Sequence, residues 1–116
     1  MRKDAHHATL AENLAGIARE GLVPNDGSRG VWPDEYDVVG KLFVCGDLEG
    51  AEHYAQVLAD GTGEEARVLR FPMPENRMRD EMTDFDGAWH TTQSIAPDVI
   101  EMLDDGVWKP LMESMR

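Results

Sequence analysis

The sequence has one cysteine, Cys45, and this scarcity excludes two kinds of stabilisation. A lone cysteine cannot close a disulfide within the chain, and it cannot build a cysteine-based metal site. The adjacent His6 and His7 are not followed by a third histidine or a carboxylate at ligand spacing. The residues therefore predict no metal site, and the cysteine usage is typical of a reducing, cytoplasmic compartment.

Long apolar runs are also missing. No segment approaches the ~20 apolar residues that a membrane-spanning helix needs, and the polar start MRKDAHHATL lacks the apolar stretch of a signal peptide. We expect a cytoplasmic protein that does not insert into a membrane. A chain of 116 residues predicts a single domain, residues 1–116, with one core.

Positive charge is scarce. The chain has 11 Lys and Arg against 23 Asp and Glu, and its formal net charge is −12. Such a surface repels phosphate backbones, so we expect no direct nucleic-acid binding. A protein with a basic surface is the better partner, and an acidic protein can also occupy a groove meant for nucleic acid. Plain solubility, or adaptation to high salt, explains the same charge.

Two segments carry helix signals. Thr9 and Glu12 have the spacing of a capping box, and an apolar stripe follows at helical spacing. A glycine and then a proline end the pattern, which predicts a helix from about Leu10 to Glu20. Asp47 is placed to cap a second helix from about Leu48 to Ala59.

Short apolar or β-branched runs predict strands. These runs are Lys41 to Asp47, Ala66 to Phe71, Ala88 to Thr92, and a hairpin over Asp98 to Leu111 with its turn at Asp104-Asp105-Gly106. Early helices and late strands predict an α+β domain: two helices in the N-terminal half, packed on a mainly antiparallel sheet. The predicted core contains Leu14, Ile17, Phe43, Tyr54, Leu58 and Ile100.

The remaining segments are rich in turn-forming residues. Asn25 to Gly30 predicts a turn, and the segment around Trp32 and Tyr36 predicts an irregular loop. Asn76 to Gly87 is charged and predicts further turns.

The histidine pair has two interpretations. Neighbouring side chains of a strand point to opposite faces, so one imidazole can face inward while the other meets solvent. An inward imidazole beside a helix N-terminus would lie near unpaired amides that favour anions such as a pyrophosphate. The alternative is a core histidine bonded to a backbone carbonyl.

Three motifs follow one another in an order that is informative as a set. His7-Ala8-Thr9 leads into a helix that ends in IAREGLVP. KLFVCGD begins at Lys41 and is followed by HYA at His53, and IAPDVIEML begins at Ile95. In this order, and over most of the chain, they resemble ADP-ribosyltransferase-like domains, the fold shared by poly(ADP-ribose) polymerases, bacterial toxins and RNA 2′-phosphotransferases.

The resemblance implies a split antiparallel sheet and NAD as the cofactor. By it, His7 binds the ribose of NAD with Thr9 beside it, and Phe43 stacks on the nicotinamide. The catalytic glutamate of the family would fall in the strand before IAPDVIEML, where this chain has WHTTQ and no carboxylate. His90 or Gln93 would have to replace it. The arginine-rich site by which the RNA phosphotransferases work is not found in this sequence.

Two functions follow from these observations. The first is an ADP-ribosyltransferase-like domain that uses or binds NAD and modifies a protein of a host or defence system. The second is a non-catalytic acidic binding protein of the anti-CRISPR or phage anti-defence type, which would occlude a basic, nucleic-acid-binding surface stoichiometrically. The missing carboxylate and the net charge of −12 favour the second, and the ordered motifs favour the first.

Overall fold

The computed structural model describes residues 4–24, 40–79 and 88–115 of the chain. These residues form seven strands: β1 (Asp4–Leu10), β2 (Leu42–Cys45), β3 (Ala66–Pro72), β4 (Met78–Arg79), β5 (Ala88–Thr91), β6 (Glu101–Asp104) and β7 (Val107–Pro110). They also form three α-helices, α1 (Leu14–Glu20), α2 (Leu48–Thr62) and α3 (Leu111–Ser114), and two 3-10 helices, Ala11–Asn13 and Pro97–Val99. The turn predicted for Asn25 to Gly30 and the loop predicted around Trp32 and Tyr36 lie outside the described residues.

The strands form one antiparallel sheet in the order β4-β5-β2-β1-β3-β6-β7. All seven residues of β1 pair with β3, from Asp4 opposite Pro72 to Leu10 opposite Ala66. The α+β class and the antiparallel sheet agree with the sequence prediction. Among the described residues, no helix has the length and apolar character that crossing a bilayer requires.

Helices cover both faces of this sheet. Alternate residues of β3 point to opposite faces: Leu69 and Phe71 join the larger core, and Val68 joins the smaller one. Helix α1 contributes Leu14 and Ile17 to the larger core. Helix α2 packs across β1, β2 and β3 on the other face and buries Ala51 there.

The first helix begins later than predicted. The capping box at Thr9 does not form, because β1 continues through Leu10 and Thr9 pairs there with Arg67 of β3. The 3-10 helix Ala11–Asn13 follows, and α1 begins only at Leu14, with no side-chain cap at either start. Pairing with a distant strand thus overrides a local capping pattern.

The end of α1 depends on Gly21. Its φ is 82°, and its amide donates to the carbonyl of Ile17 at 2.7 Å. A Cβ at this position would lie 2.0 Å from the carbonyl oxygen of Ile95. Glycine is required because the backbone of the next residue, Leu22, makes an isolated bridge with Ile95.

The second helix and the hairpin follow their local signals. Asp47 caps α2 through a 2.7 Å hydrogen bond from the amide of Gly50, and the helix runs three residues beyond the predicted Ala59. Asp105 and Gly106 form the β6–β7 turn with φ values of 51° and 78°, the left-handed pair that a two-residue hairpin favours. The hairpin is shorter than predicted because Pro97–Val99 forms a 3-10 helix.

Two further expectations need correction. Of the six predicted core residues, Leu14, Ile17 and Ile100 are buried, whereas Phe43, Tyr54 and Leu58 are only half-buried. The segment Asn76 to Gly87, predicted to be rich in turns, includes the short strand β4, which pairs with β5; its residues 80–87 lie outside the described residues.

Replacing Leu14 with alanine tests the placement of α1. Leu14 is 5% exposed, and we expect Leu14→Ala to lower the free energy of unfolding by about 2–5 kcal/mol, because it removes buried methyl groups and leaves a cavity. Val57→Ala is the control, since Val57 is 49% exposed on α2 and should change stability by less than about 0.5 kcal/mol. Denaturant unfolding measures both. Equal, small effects would contradict the packing of α1 on the sheet.

Candidate functional site

His7, the first candidate residue, lies at the boundary between β1 and β2, which we call the seam. These two strands are in register only at His6 opposite Cys45. Next to this pair, a side chain joins the two strands: the Nδ1 of His7 donates a hydrogen bond to the backbone carbonyl of Phe43 at 2.6 Å. A carbonyl can only accept, so Nδ1 carries the hydrogen and, in the neutral ring, Nε2 is an acceptor.

Phe43 and His90 lie side by side on the next two strands. They are direct partners across β2 and β5, and their rings meet edge to face with centroids 6.2 Å apart. Both side chains are half-buried. The Nδ1 atom of His90 is buried and has no hydrogen-bond partner among the described residues. Phe43 thus links His7 and His90, which come from separate segments of the sequence.

The two other predicted residues are placed differently. Thr9 is 5% exposed, and its hydroxyl accepts a 3.4 Å hydrogen bond from the side-chain amide of Asn13. Gln93 is exposed beyond the end of β5, where its backbone amide donates to the Thr91 hydroxyl at 3.0 Å. His7, Phe43 and His90 are therefore the members of the predicted set that the structure brings together, and we call them the seam cluster.

A second cluster, which sequence reasoning missed, surrounds His6. The Arg70 guanidinium lies 4.3 Å from the centre of the Trp108 ring, and its Nε and Nη2 donate to one carboxylate oxygen of Glu101 at 3.1 and 3.0 Å. His6 pairs with Arg70 across β1 and β3, and its ring is 5.8 Å from that of Trp108. Only the strand register brings these residues together, so no local sequence signal predicts the cluster.

The environment of His6 disfavours its charged form. Burial lowers the pKa of His6 most strongly, and the positive charge of Arg70 acts in the same direction, while the carboxylates of Asp4 and Asp47 oppose the shift. The Nδ1 atom of His6 is buried without a hydrogen-bond partner among the described residues. A neutral imidazole at this position can pack against Trp108, with the two rings tilted by 54°, without adding a second cation beside Arg70.

Cys45 is not suited to act as a nucleophile. It is 7% exposed, and burial, assisted by the Asp47 charge, raises the pKa of its thiol to about 12. The thiolate is the reactive form of cysteine, and it is scarce at neutral pH with such a pKa. Within residues 4–24, 40–79 and 88–115, no group of three His, Cys, Asp or Glu side chains is arranged to hold a metal ion.

Comparison with known proteins found no family model, no curated protein and no solved structure that matches this chain. The resemblance of the three motifs to ADP-ribosyltransferase-like domains therefore stays a prediction.

The lowered pKa of His6 makes stability depend on pH. The folded state binds the proton more weakly than the unfolded chain, so the contribution of His6 is complete above about pH 6.5 and is lost as the pH falls through the folded-state pKa. We expect an NMR titration to place the pKa of the His6 ring below its ordinary value. His6→Gln should flatten the fall in unfolding free energy over this range. Titration of His6 at or above pH 6.5 would contradict the assigned environment.

Proposed function

We propose that this protein is an ADP-ribosyltransferase-like domain that binds NAD at the seam cluster. One observation carries the proposal: His7, Phe43 and His90 come from separate segments but lie on three neighbouring strands. The His7 ring bonds the backbone carbonyl of Phe43, and the Phe43 ring contacts the His90 ring. The single pair in register between β1 and β2 is compatible with the split sheet that the resemblance implies.

The chemistry of the seam cluster suits the nicotinamide riboside part of NAD. The acceptor nitrogen of the His7 ring is of the kind that a ribose hydroxyl needs, and the half-buried Phe43 ring offers an aromatic surface for the nicotinamide. The Nδ1 of His90, which has no hydrogen-bond partner among the described residues, provides a further polar atom beside them.

Transfer of ADP-ribose makes a demand that the seam cluster does not meet. Bound NAD would supply an activated glycosidic bond, and breaking it develops positive charge on the ribose. None of the three side chains is a carboxylate, and an imidazole stabilises such a charge less well than a carboxylate would. We therefore expect NAD binding without rapid transfer.

A thermal shift measurement tests this proposal. A ligand that binds only the native state stabilises it by about 1.4 kcal/mol at ten times its dissociation constant, which raises the melting temperature of a domain of this size by roughly 5 °C. We expect millimolar NAD to produce such a shift. His7→Ala and Phe43→Ala should each abolish it while leaving the protein folded.

His53→Ala is the matched control. Like His7→Ala it removes an imidazole, but from an exposed position of α2, and it should leave the NAD-induced rise in melting temperature intact. An unchanged melting temperature of the wild-type protein at millimolar NAD would refute the proposal. Equal loss of the shift in His53→Ala would show that the seam cluster is not the site.

The charge of α2 favours a second candidate function, a non-catalytic acidic protein that occludes a basic surface. Glu49, Glu52 and Asp60 are exposed on one side of this helix, which contains no Lys or Arg, and Glu64 follows just after its end. We call these four residues the acidic face. A basic protein would meet the acidic face without opposing positive charge from the helix itself.

Association kinetics test this second function. With polylysine as the probe, we expect a complex that needs no NAD, and an on-rate that falls steeply as salt rises to about 0.15 M, where exposed charges are screened over ~8 Å. Asp60→Lys combined with Glu64→Lys should slow association more than it speeds dissociation. These sites spare Glu65, whose carboxylate already pairs with Arg67 at 2.7 Å.

The control reverses two charges elsewhere. Glu12 and Glu113 are exposed on the elements that cover the opposite face of the sheet. Glu12→Lys with Glu113→Lys makes the same change in net charge. If both double variants slowed association equally, net charge and not the acidic face would govern binding.

A further inference from the structure

A groove runs between α2 and the sheet, on the opposite side of the fold from α1. Its volume is about 350 Å³, at the small end of the range for ligand clefts. Three elements and one turn line it: α2 forms one wall, β3 and β6 form the base, and the β6–β7 turn closes one end. A cleft of this size suits a side chain better than a large cofactor.

The base and the rim of the groove differ in polarity. Buried or half-buried apolar side chains line the inside of the groove: Ala55 and Ala59 on the α2 wall, and Ala66, Val68 and Leu103 at the base. The rim carries two exposed carboxylates, Glu52 on α2 and Asp105 on the turn. An apolar base with acidic rims matches a side chain that has an aliphatic stem and a cationic end.

Among the described residues that line the groove, the one cation is already paired with carboxylates. Arg67 contacts Glu65 at 2.7 Å and Asp104 at 3.6 Å. Asp104 also accepts from the Lys109 ammonium at 3.1 Å, and this bond and charge lower the pKa of its carboxyl. The paired charges leave Glu52 and Asp105 as the groove's rim carboxylates for an incoming cation.

We propose that this groove receives a lysine side chain of a basic protein partner, whose methylenes cover the apolar base while its ammonium lies between Glu52 and Asp105. The inference rests on the second candidate function, because it presumes a basic partner, and it is independent of NAD. Lysine fits better than arginine because its ammonium is a compact point charge that can lie between two separate carboxylates, whereas the planar guanidinium of arginine pairs in bidentate fashion with one. Binding in the groove would fix the register of a partner that the acidic face attracts only at long range.

The experiment compares two peptides of equal charge. One is a glycine peptide with three lysines, and the other replaces each lysine by 2,3-diaminopropionic acid, whose stem has a single methylene. Binding to the isotope-labelled full chain is followed by NMR at about pH 5, where both amines are charged and most carboxylates are still ionised. We expect the lysine peptide to bind about tenfold more tightly, because only its stem buries apolar surface, and to shift the amides of Ala55, Ala59 and Gly106.

The variant Glu52→Gln with Asp105→Asn should weaken binding of the lysine peptide about tenfold, as expected for loss of charge-assisted contacts. Asparagine tolerates the positive φ of Asp105, so the turn is retained. Glu12→Gln with Glu113→Gln is the charge-matched control and should leave the affinity within about twofold.

Three results are distinguishable. A stem-length preference, together with groove shifts that the rim variant removes, supports the proposal. Equal affinities for the two peptides, or amide shifts that are unchanged in the rim variant, would overturn the proposed groove site. The acidic face would still stand as a binding surface. Failure of both peptides to bind would overturn the groove and the second candidate function together, without bearing on NAD.

Discussion

The pairing of β1 with β3 is the interaction on which the rest of this structure depends. It is the longest ladder in the described residues, and it lies in the middle of the sheet with β2 on one side and β6 on the other. Helix α2 packs directly on both strands, and the larger core to which α1 contributes includes residues of both. Because side chains alternate along β1, the same pairing sends His6 toward Trp108 and leaves His7 to bond at the seam. A slip of one residue would exchange their environments.

Signals that act over a few residues were sufficient to predict much of the fold. The cap at Asp47 and the turn at Asp105-Gly106 both lie where the sequence indicates, because each depends on its own neighbours. The predicted start of α1 was wrong because it depends on a distant part of the chain. Thr9 has the chemistry of a cap, but a partner strand more than fifty residues later in the sequence holds it in β1, and no local pattern reports such a competitor.

The sequence named five residues of the candidate site, and the structure brings three of them close together. The order of the three motifs pointed to His7, Phe43 and His90, and the structure places them on adjacent strands. Their NAD-binding role is a proposal that rests on this proximity. The cluster of His6, Arg70 and Trp108 could not be predicted, since it exists only through the register of four strands. The groove likewise could not be predicted, because it lies between α2 and a turn that is distant in sequence. From the sequence alone, Asp105 indicates only a solvated turn.

The two edge strands of the sheet influence whether this protein aggregates at high concentration. Unpaired edge strands are templates for pairing with other molecules, and long flat edges promote fibrillar aggregation. Within the described residues, one edge strand is only two residues long, and the other ends in Lys109 and Pro110. Proline has no amide hydrogen to donate to a neighbouring strand. Together with the mutual repulsion of molecules that each carry a formal charge of −12, these edges disfavour β-aggregation of the folded protein.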